Sequence, residues 1–199
     1  MKLLTSIATF GAVAALFSSA TQAGLDVTAY EKLAVIKVAK IDQSQDENTI
    51  TLTPVEFPER FLGLNSDTPY HFKSSFDFRA GSYSGYNWWR NELAKLAGFQ
   101  PIYDTVTEFD VKTQKAVDRN ELRYDKAVWN AKKGPFWELI DFSDAEGVIG
   151  PVVCKRVYKD FLKFKVKAAM HPSKDFRESY RDWMKAFSMC ANDGAIVFS

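Results

Sequence analysis

A glycine- and serine-rich turn is the first part of the chain whose residue types could do chemistry. Residues 81–90 read GSYSGYNWWR, and apolar residues follow at helical spacing as far as Gly98. A turn that enters a helix presents free backbone N–H groups and the positive end of the helix dipole, so it binds anions readily. The structural alternative is a serine-capped helix with Trp88 and Trp89 packed in the core. The candidate ligand-binding residues of this turn are Ser82, Tyr83, Tyr86 and Arg90.

A second cluster is the acidic turn at residues 141–147, which read DFSDAEG. Carboxylates on a turn can hold a hard cation, or they can serve as general acid and base. The sequence predicts no cofactor. If a metal binds here, oxygen ligands of this kind would select Ca²⁺ or Mg²⁺. The spacing of the acidic residues differs from that of an EF-hand loop. The alternative is a helix-start signal ahead of Pro151. The candidates are Ser143, Asp144 and Glu146 for a ligand, and Asp141, Asp144 and Glu146 for a metal.

Strands and helices must position these two turns. Residues 70–78 alternate aromatic and polar side chains, which predicts a half-buried strand before the first turn. Residues 136–142, FWELIDF, predict a strand before the second turn, and Pro151 suits the first turn of the helix after it. We therefore expect the two turns to lie side by side at one edge of a sheet, where they would form a polar-aromatic cleft.

The remaining segments complete the predicted fold class. Asn120 is expected to cap a short helix that ends at Lys132, and two long helical patterns follow Pro151. Strands that alternate with helices predict an α/β or α+β fold, with helices packed on a mixed sheet in one compact domain over residues 24–199. Short strands are expected over residues 33–39, 49–52, 105–111 and 195–198.

The first 23 residues read as a bacterial secretory signal peptide. Lys2 precedes the uncharged apolar stretch at 3–17, and the small residues after it place the cleavage site after Ala23 or Ala20. A membrane anchor is the alternative, but the apolar stretch is shorter than the roughly 20 residues that a span needs. The predicted location is therefore the periplasm or the outside medium.

Export changes the interpretation of the two cysteines. Cys154 and Cys190 both fall in helical patterns near the C-terminus. Outside the cytosol two such residues can pair as a disulfide, and two buried free thiols are the alternative. Two cysteines are too few for a disulfide-framework miniprotein or an all-cysteine zinc site.

Composition excludes several classes of protein. The 199 residues include 26 Lys and Arg against 25 Asp and Glu, a formal net charge of +1. A dedicated nucleic-acid binder would be clearly basic, so no nucleic-acid partner is expected. Apolar residues make up 46% of the chain, which excludes a wholly disordered protein. No membrane span is expected after signal cleavage, and the oligomeric state is left open.

The chain resembles an uncharacterised family of bacterial and prophage proteins. The resemblance rests on two stretches, GSYSGYNWWR at 81–90 and GPFWELIDFSDAEGVIGP at 134–151, and on NDGA at 192–195. It implies a shared domain and no chemistry. The family carries a cysteine in the acidic turn where this chain has Ala145, which argues against a catalytic thiol at that position.

Two functions follow as expectations. The first is an exported protein whose cleft binds a small ligand, such as a sugar, an envelope fragment or a short peptide, because aromatic surfaces stack on sugars. If it is an enzyme, Asp144 and Glu146 as acid and base of a hydrolase are the simplest scheme. The alternative is a non-catalytic module that binds another envelope protein through exposed aromatics and the charged region 103–133. The sequence does not decide between enzyme and binding protein.

Overall fold

The structure is a computed structural model, which describes residues 24–36, 48–110, 112–142 and 147–199. The expected signal peptide and three candidates of the acidic turn, Ser143, Asp144 and Glu146, lie outside the described residues. In chain order the elements are β1 (Gly24–Glu31), β2 (Ala34–Val35), β3 (Thr49–Leu52), β4 (Thr68–His71), β5 (Ser74–Ser82), α1 (Tyr83–Ala97), β6 (Ile102–Asp110), β7 (Lys115–Arg123), α2 (Tyr124–Ala131), α3 (Trp137–Ile140), β8 (Gly147–Ile149), α4 (Pro151–Ala169), α5 (Lys174–Ala191) and β9 (Ala195–Phe198).

A four-stranded antiparallel sheet in the order β5-β1-β9-β8 supports the helices. Side chains alternate between the faces of a strand, so Leu25, Val27 and Ala29 of β1 are buried, while Thr28 is on the opposite face and donates to Asp77. α1 and α5 both contact β1 and β5. Two further antiparallel sheets, β2-β4-β3 and β6-β7, are present. The α+β form of the predicted fold class is confirmed.

The ends of the long helices follow the signals in the sequence. The Ser82 side chain caps α1, and Gly98 ends that helix with a left-handed φ of 91°. Pro151 opens α4, where its missing N–H costs no hydrogen bond, and Ser173 caps α5. None of the described helices is long and apolar enough to cross a membrane.

Stacked aromatic rings form the centre of the core. The ring of Trp183 in α5 lies 5.4 Å from the ring of Trp89 and 5.8 Å from that of Tyr86, both in α1. It also lies 5.0 Å from the ring of Phe78 in β5 and 5.7 Å from that of Phe198 in β9. One side chain thus joins both helices to two strands of the sheet.

A disulfide joins α4 to α5. Of the two alternatives for the cysteines, the structure has the paired one: Cys154 and Cys190 are bonded, with their Cα atoms 5.7 Å apart. The bond lies near the start of α4 and the end of α5, at the opposite end of this helix pair from its connecting loop. Disulfides persist in oxidising compartments, so the bond is compatible with export.

Residues 136–142 contain a short helix, α3 (Trp137–Ile140), where a strand was expected. A short apolar run is compatible with both a buried strand and a buried helix, and the neighbouring residues decide between them. Here Phe136 takes a left-handed φ of 60° and turns the chain into the helix at Trp137.

The expected helix cap at Asn120 is also wrong. Asn120 lies within β7 opposite Thr105, whose hydroxyl donates to the Asn120 side chain at 3.0 Å, and α2 begins at Tyr124. Cross-strand pairing overrides the local capping preference here. The expected strand at 70–78 is interrupted at 72–73, because its two parts, β4 and β5, belong to different sheets.

Candidate functional site

The predicted binding turn is a helix cap, and two aromatic residues of this stretch, Tyr83 and Trp88, are exposed. The interpretation that packed Trp88 in the core is therefore wrong, and only Trp89 of the pair is buried. The Ser82 hydroxyl accepts the N–H of Gly85 at 3.2 Å and lies 3.2 Å from the Ser84 hydroxyl. Ser82 is therefore the helix cap that the structural alternative predicted. Tyr83, the first residue of α1, is exposed, so it is the aromatic candidate of this turn that a ligand in solvent can reach.

Tyr86 and Arg90 point from α1 into the core, where they hold the segment around α3. Tyr86 is fully buried and Arg90 is 2% exposed. Tyr86 Oη donates to the carbonyl of Phe142 at 3.2 Å, and Arg90 Nη1 donates to the same oxygen at 2.7 Å and to the carbonyl of Ile140 at 3.2 Å. Trp129 Nε1 donates to the Ile140 carbonyl at 3.0 Å. We call these five residues the α3 joint.

The α3 joint brings the two motif stretches together within the described residues, 81–90 against 134–142. The carbonyl groups at the end of a helix lack donors within the helix, and here Arg90 and its neighbours supply them. The Arg90 guanidinium also lies 4.7 Å from the ring of Tyr86 and 5.5 Å from that of Trp129. Tyr86 and Arg90 were expected to reach a ligand, but Tyr86 Oη and Arg90 Nη1 donate to carbonyl groups of the core, and the buried Arg90 Nε has no hydrogen-bond partner among the described residues.

Asp141 is the described candidate of the acidic turn, and it pairs with a buried cation. Its Oδ2 accepts from Arg60 Nη2 at 2.9 Å. Arg60 is also buried, and its guanidinium lies 4.5 Å from the ring of Trp137. A buried charge requires such partners, and Asp141 and the neighbouring Glu59 are both counter-ions of Arg60. Within the described ranges no group of three His, Cys, Asp or Glu is placed to hold a metal; the Ca²⁺ or Mg²⁺ site, which includes undescribed residues, stays a prediction.

Two acidic residues that the sequence analysis missed complete the support of α3. The buried carboxylate of Glu138 accepts from Arg156 Nε at 2.8 Å. Asp160 Oδ2 accepts the N–H of Phe136 at 2.8 Å, and burial raises the pKa of the Asp160 carboxyl. The signal in the sequence is the spacing of Arg156 and Asp160 by four residues, which places both on one face of α4. Their partners on α3 come from the tertiary structure.

His171 and Glu92 form a pair that resembles a catalytic dyad. Glu92 Oε2 lies 3.2 Å from His171 Nε2, and the N–H of Ser173 donates to His171 Nδ1 at 3.3 Å. The imidazole ring also packs on Phe176, with centroids 4.1 Å apart. Because both ring nitrogens are occupied, the pair braces α1 against the loop between α4 and α5 instead of offering a base to a substrate.

The β6–β7 hairpin presents apolar side chains to solvent. Its register pairs Tyr103 with Leu122 and Phe109 with Ala116, and both pairs lie on one face because they are separated by an even number of residues. Tyr103 is 77% exposed, Phe109 66% and Leu122 50%. Two hydrogen-bonded polar pairs, Thr105 with Asn120 and Thr107 with Asp118, lie on the same face between the two apolar positions. We call Tyr103, Phe109 and Leu122 the hairpin apolar face.

The opposite face of the hairpin is charged and partly covered. It carries Asp104, whose carboxylate pairs with Lys126 of α2 at 3.4 Å, and Glu121 lies opposite Asp104 in the register. Among the described strands β6 and β7 pair only with each other. The hairpin is therefore attached to the rest of the molecule at α2, and both of its outer edges lack a neighbouring strand in the described chain.

Comparison with family models finds no match for this chain, and comparisons with curated proteins and with solved structures also find none. The resemblance carried by the two motif stretches therefore stays a prediction. What supports a function is the geometry of the α3 joint and of the hairpin.

Proposed function

We propose that the protein is an exported, non-catalytic module of the cell envelope, which binds a partner protein through the hairpin apolar face. The observation that carries the proposal is the exposure of Tyr103 and Phe109 on a hairpin whose two edges have no described neighbour. Exposed aromatic side chains such as these are frequent anchors of protein interfaces.

Polar side chains in the two motif stretches make contacts inside the protein, which favours a binding function over catalysis. Of the described residues that were expected to line the cleft, Tyr86 and Arg90 contact partners inside the protein, whereas Tyr83 is exposed. Asp141, the described metal candidate, pairs with Arg60. A catalytic group needs a polar atom free to meet the substrate. The small-ligand function now depends on Tyr83 and on undescribed residues of the acidic turn.

The shape of the hairpin favours a protein partner over a small ligand. Small ligands bind in concave sites, whereas the hairpin apolar face belongs to a two-stranded ribbon. Two nine-residue strands pair along their full length, from Ile102 opposite Arg123 to Asp110 opposite Lys115. Protein interfaces use aromatic anchors such as Tyr103 and Phe109, and an unpaired strand edge can add main-chain hydrogen bonds to a partner's strand.

A site-specific cross-linking experiment tests the proposal. A photoreactive amino acid is placed at Phe109, and at Val117 on the opposite face of the same hairpin as the matched control. We expect a discrete adduct to one envelope protein from position 109 and none from position 117. The partner is then purified, and Tyr103→Ser with Phe109→Ser is expected to weaken its binding at least tenfold, while Val117→Ser leaves the affinity unchanged. Equal adducts from both positions, or unchanged affinity of the double variant, overturn the proposal.

A further inference from the structure

The outward side of α4 combines exposed apolar residues with lysines. Seven residues share this side, within about 100° of the helix circumference at 3.6 residues per turn. We call them the α4 outer face: Val152, Lys155, Lys159, Leu162, Lys163, Val166 and Met170. Val166 is 74% exposed and Met170 is 80% exposed, while Val153, Val157 and Phe161 on the inward side are buried. The helix therefore has a second apolar stripe that nothing in the described chain covers.

The charged residues of α4 are mostly basic. α4 contains six Lys and Arg residues in total and one acidic residue, Asp160. The whole chain, by contrast, contains 26 Lys and Arg and 25 Asp and Glu. Asp160 accepts a hydrogen bond from the backbone of Phe136, so it is turned toward α3. Lys155 pairs with Asp193 at 3.0 Å, and Lys163 acts on the Asp160 carboxyl, so nearby carboxylates offset part of the charge of the α4 outer face.

A groove beside this face continues the same chemistry. It lies between α4 and α5, with a volume of about 440 Å³. Ala168, Ala169 and Met184 give it an apolar lining, and Lys165, Arg177 and Arg181 contribute cationic side chains. Glu178 also lines the groove, where it pairs with Arg181 and Lys174. Lys165 and Ala169 belong to α4, so the groove and the α4 outer face form one continuous surface.

We infer that the α4 outer face docks on an anionic lipid bilayer. An interfacial helix places apolar side chains at the boundary of the acyl chains, while flanking lysines meet phosphate groups. Leu162, Val166 and Met170 would enter that boundary, and Lys159 and Lys163 would meet the headgroups. A second copy of this chain does not fit the same face, because lysine would oppose lysine across the interface. The inference is independent of the hairpin and its partner protein.

Vesicle binding tests the inference. The full chain is mixed with phosphatidylglycerol–phosphatidylethanolamine vesicles and with phosphatidylcholine vesicles, and the bound fraction is measured by flotation. We expect binding to the anionic vesicles alone and release at 0.5 M salt, because salt screens the lysine–phosphate attraction. Equal binding to both vesicle types indicates insertion of the apolar N-terminal segment and overturns the inference, as does binding to neither.

Two variants and a charge-matched control locate the surface. Lys159→Glu with Lys163→Glu, and separately Leu162→Ser with Val166→Ser, are expected to lower the affinity for anionic vesicles at least tenfold. Lys112→Glu with Lys115→Glu changes the net charge by the same amount near the hairpin tip, and it should leave more than half of the affinity. If the hairpin control loses as much affinity as the α4 lysine variant, the attraction is general to the protein's charge and the inference fails. If neither α4 variant loses affinity, the inference also fails.

Discussion

The α3 joint and the β6–β7 hairpin differ in which residues they bury. The joint buries a charged residue, whereas the hairpin leaves aromatic residues exposed. In the α3 joint a charged guanidinium, that of Arg90, is buried and satisfied by carbonyl oxygens. In the hairpin, Tyr103 and Phe109 remain in solvent, although burial of such side chains would be favourable. In the first region most buried polar atoms have internal partners, although Arg90 Nε has none among the described residues, and the second has apolar area that no described residue covers.

This difference separates structural from functional residues. Buried polar groups are expensive, so a protein that retains Arg90 and Arg60 in its core must give each of them internal partners. Exposed aromatic residues cost the folded state little, and they provide a surface to a partner. Substitutions should therefore affect stability at the α3 joint and binding at the hairpin.

The largest effect is expected from Arg90→Met. The variant keeps much of the side-chain volume but leaves the carbonyls of Ile140 and Phe142 short of a donor. The guanidinium's hydrogen bonds to both carbonyls and to the Asn87 side chain are lost, and we expect the free energy of unfolding to fall by about 4 kcal/mol. Urea unfolding of the purified protein measures it, and Tyr86→Phe, which removes one neutral donor, should cost about 1 kcal/mol. A loss below that of Tyr86→Phe would contradict the assigned role of Arg90.

Removal of the disulfide is expected to have the next largest effect. Cys154 and Cys190 are separated by 36 residues, and releasing a loop of that size lowers the free energy of unfolding by about 3 kcal/mol. Cys154→Ser with Cys190→Ser is compared with the wild type under oxidising and reducing conditions. The reductant should destabilise the wild type and leave the double variant unchanged. A reductant effect of equal size on both proteins would show that the bond is not its origin.

A smaller, pH-dependent effect is expected from Asp160→Asn. Burial and the nearby Glu138 raise the pKa of the Asp160 carboxyl above its ordinary value of 3.8, while the N–H of Phe136 and Lys163 oppose them. The folded state thus binds this proton more tightly, and wild-type stability falls as pH rises from 3.8 through the raised pKa. Asparagine retains an oxygen for the N–H of Phe136 and carries no charge.

The stability difference between Asp160→Asn and the wild type should therefore be small in acid and favour the variant at neutral pH. Urea unfolding at a series of pH values measures it, and Asp182→Asn on the exposed side of α5 is the matched control. A difference that is largest in acid and disappears at neutral pH would contradict the raised pKa of Asp160.

The smallest effect on stability is expected at the hairpin. Tyr103→Ser with Phe109→Ser should change the free energy of unfolding by about 0.5 kcal/mol or less, because both side chains are exposed. The same variant is expected to lose partner binding, as set out above. Thermal unfolding measures the first quantity, and a fall of several degrees in the midpoint would show that these residues support the fold.

The boundaries of α1 and the start of α4 were accessible from the sequence, because they depend on local chemistry. Ser82 and Gly98 bound α1 as their capping and turn preferences require, and Pro151 opens α4. The helical spacing of Trp89 and Trp183 marked residues that meet in the core. These signals act within a few residues of the chain, and the sequence shows them directly.

Tertiary structure decided the roles of the polar residues. Arg90 and Asp141 read as members of a ligand site, but their partners are the carbonyl of Phe142, 52 positions away, and Arg60, 81 positions away. Asn120 read as a helix cap, and pairing with β6 placed it in a strand. The physical reason is the same in each case: a polar group takes whichever partner the fold brings within hydrogen-bond distance, and that partner is distant in sequence.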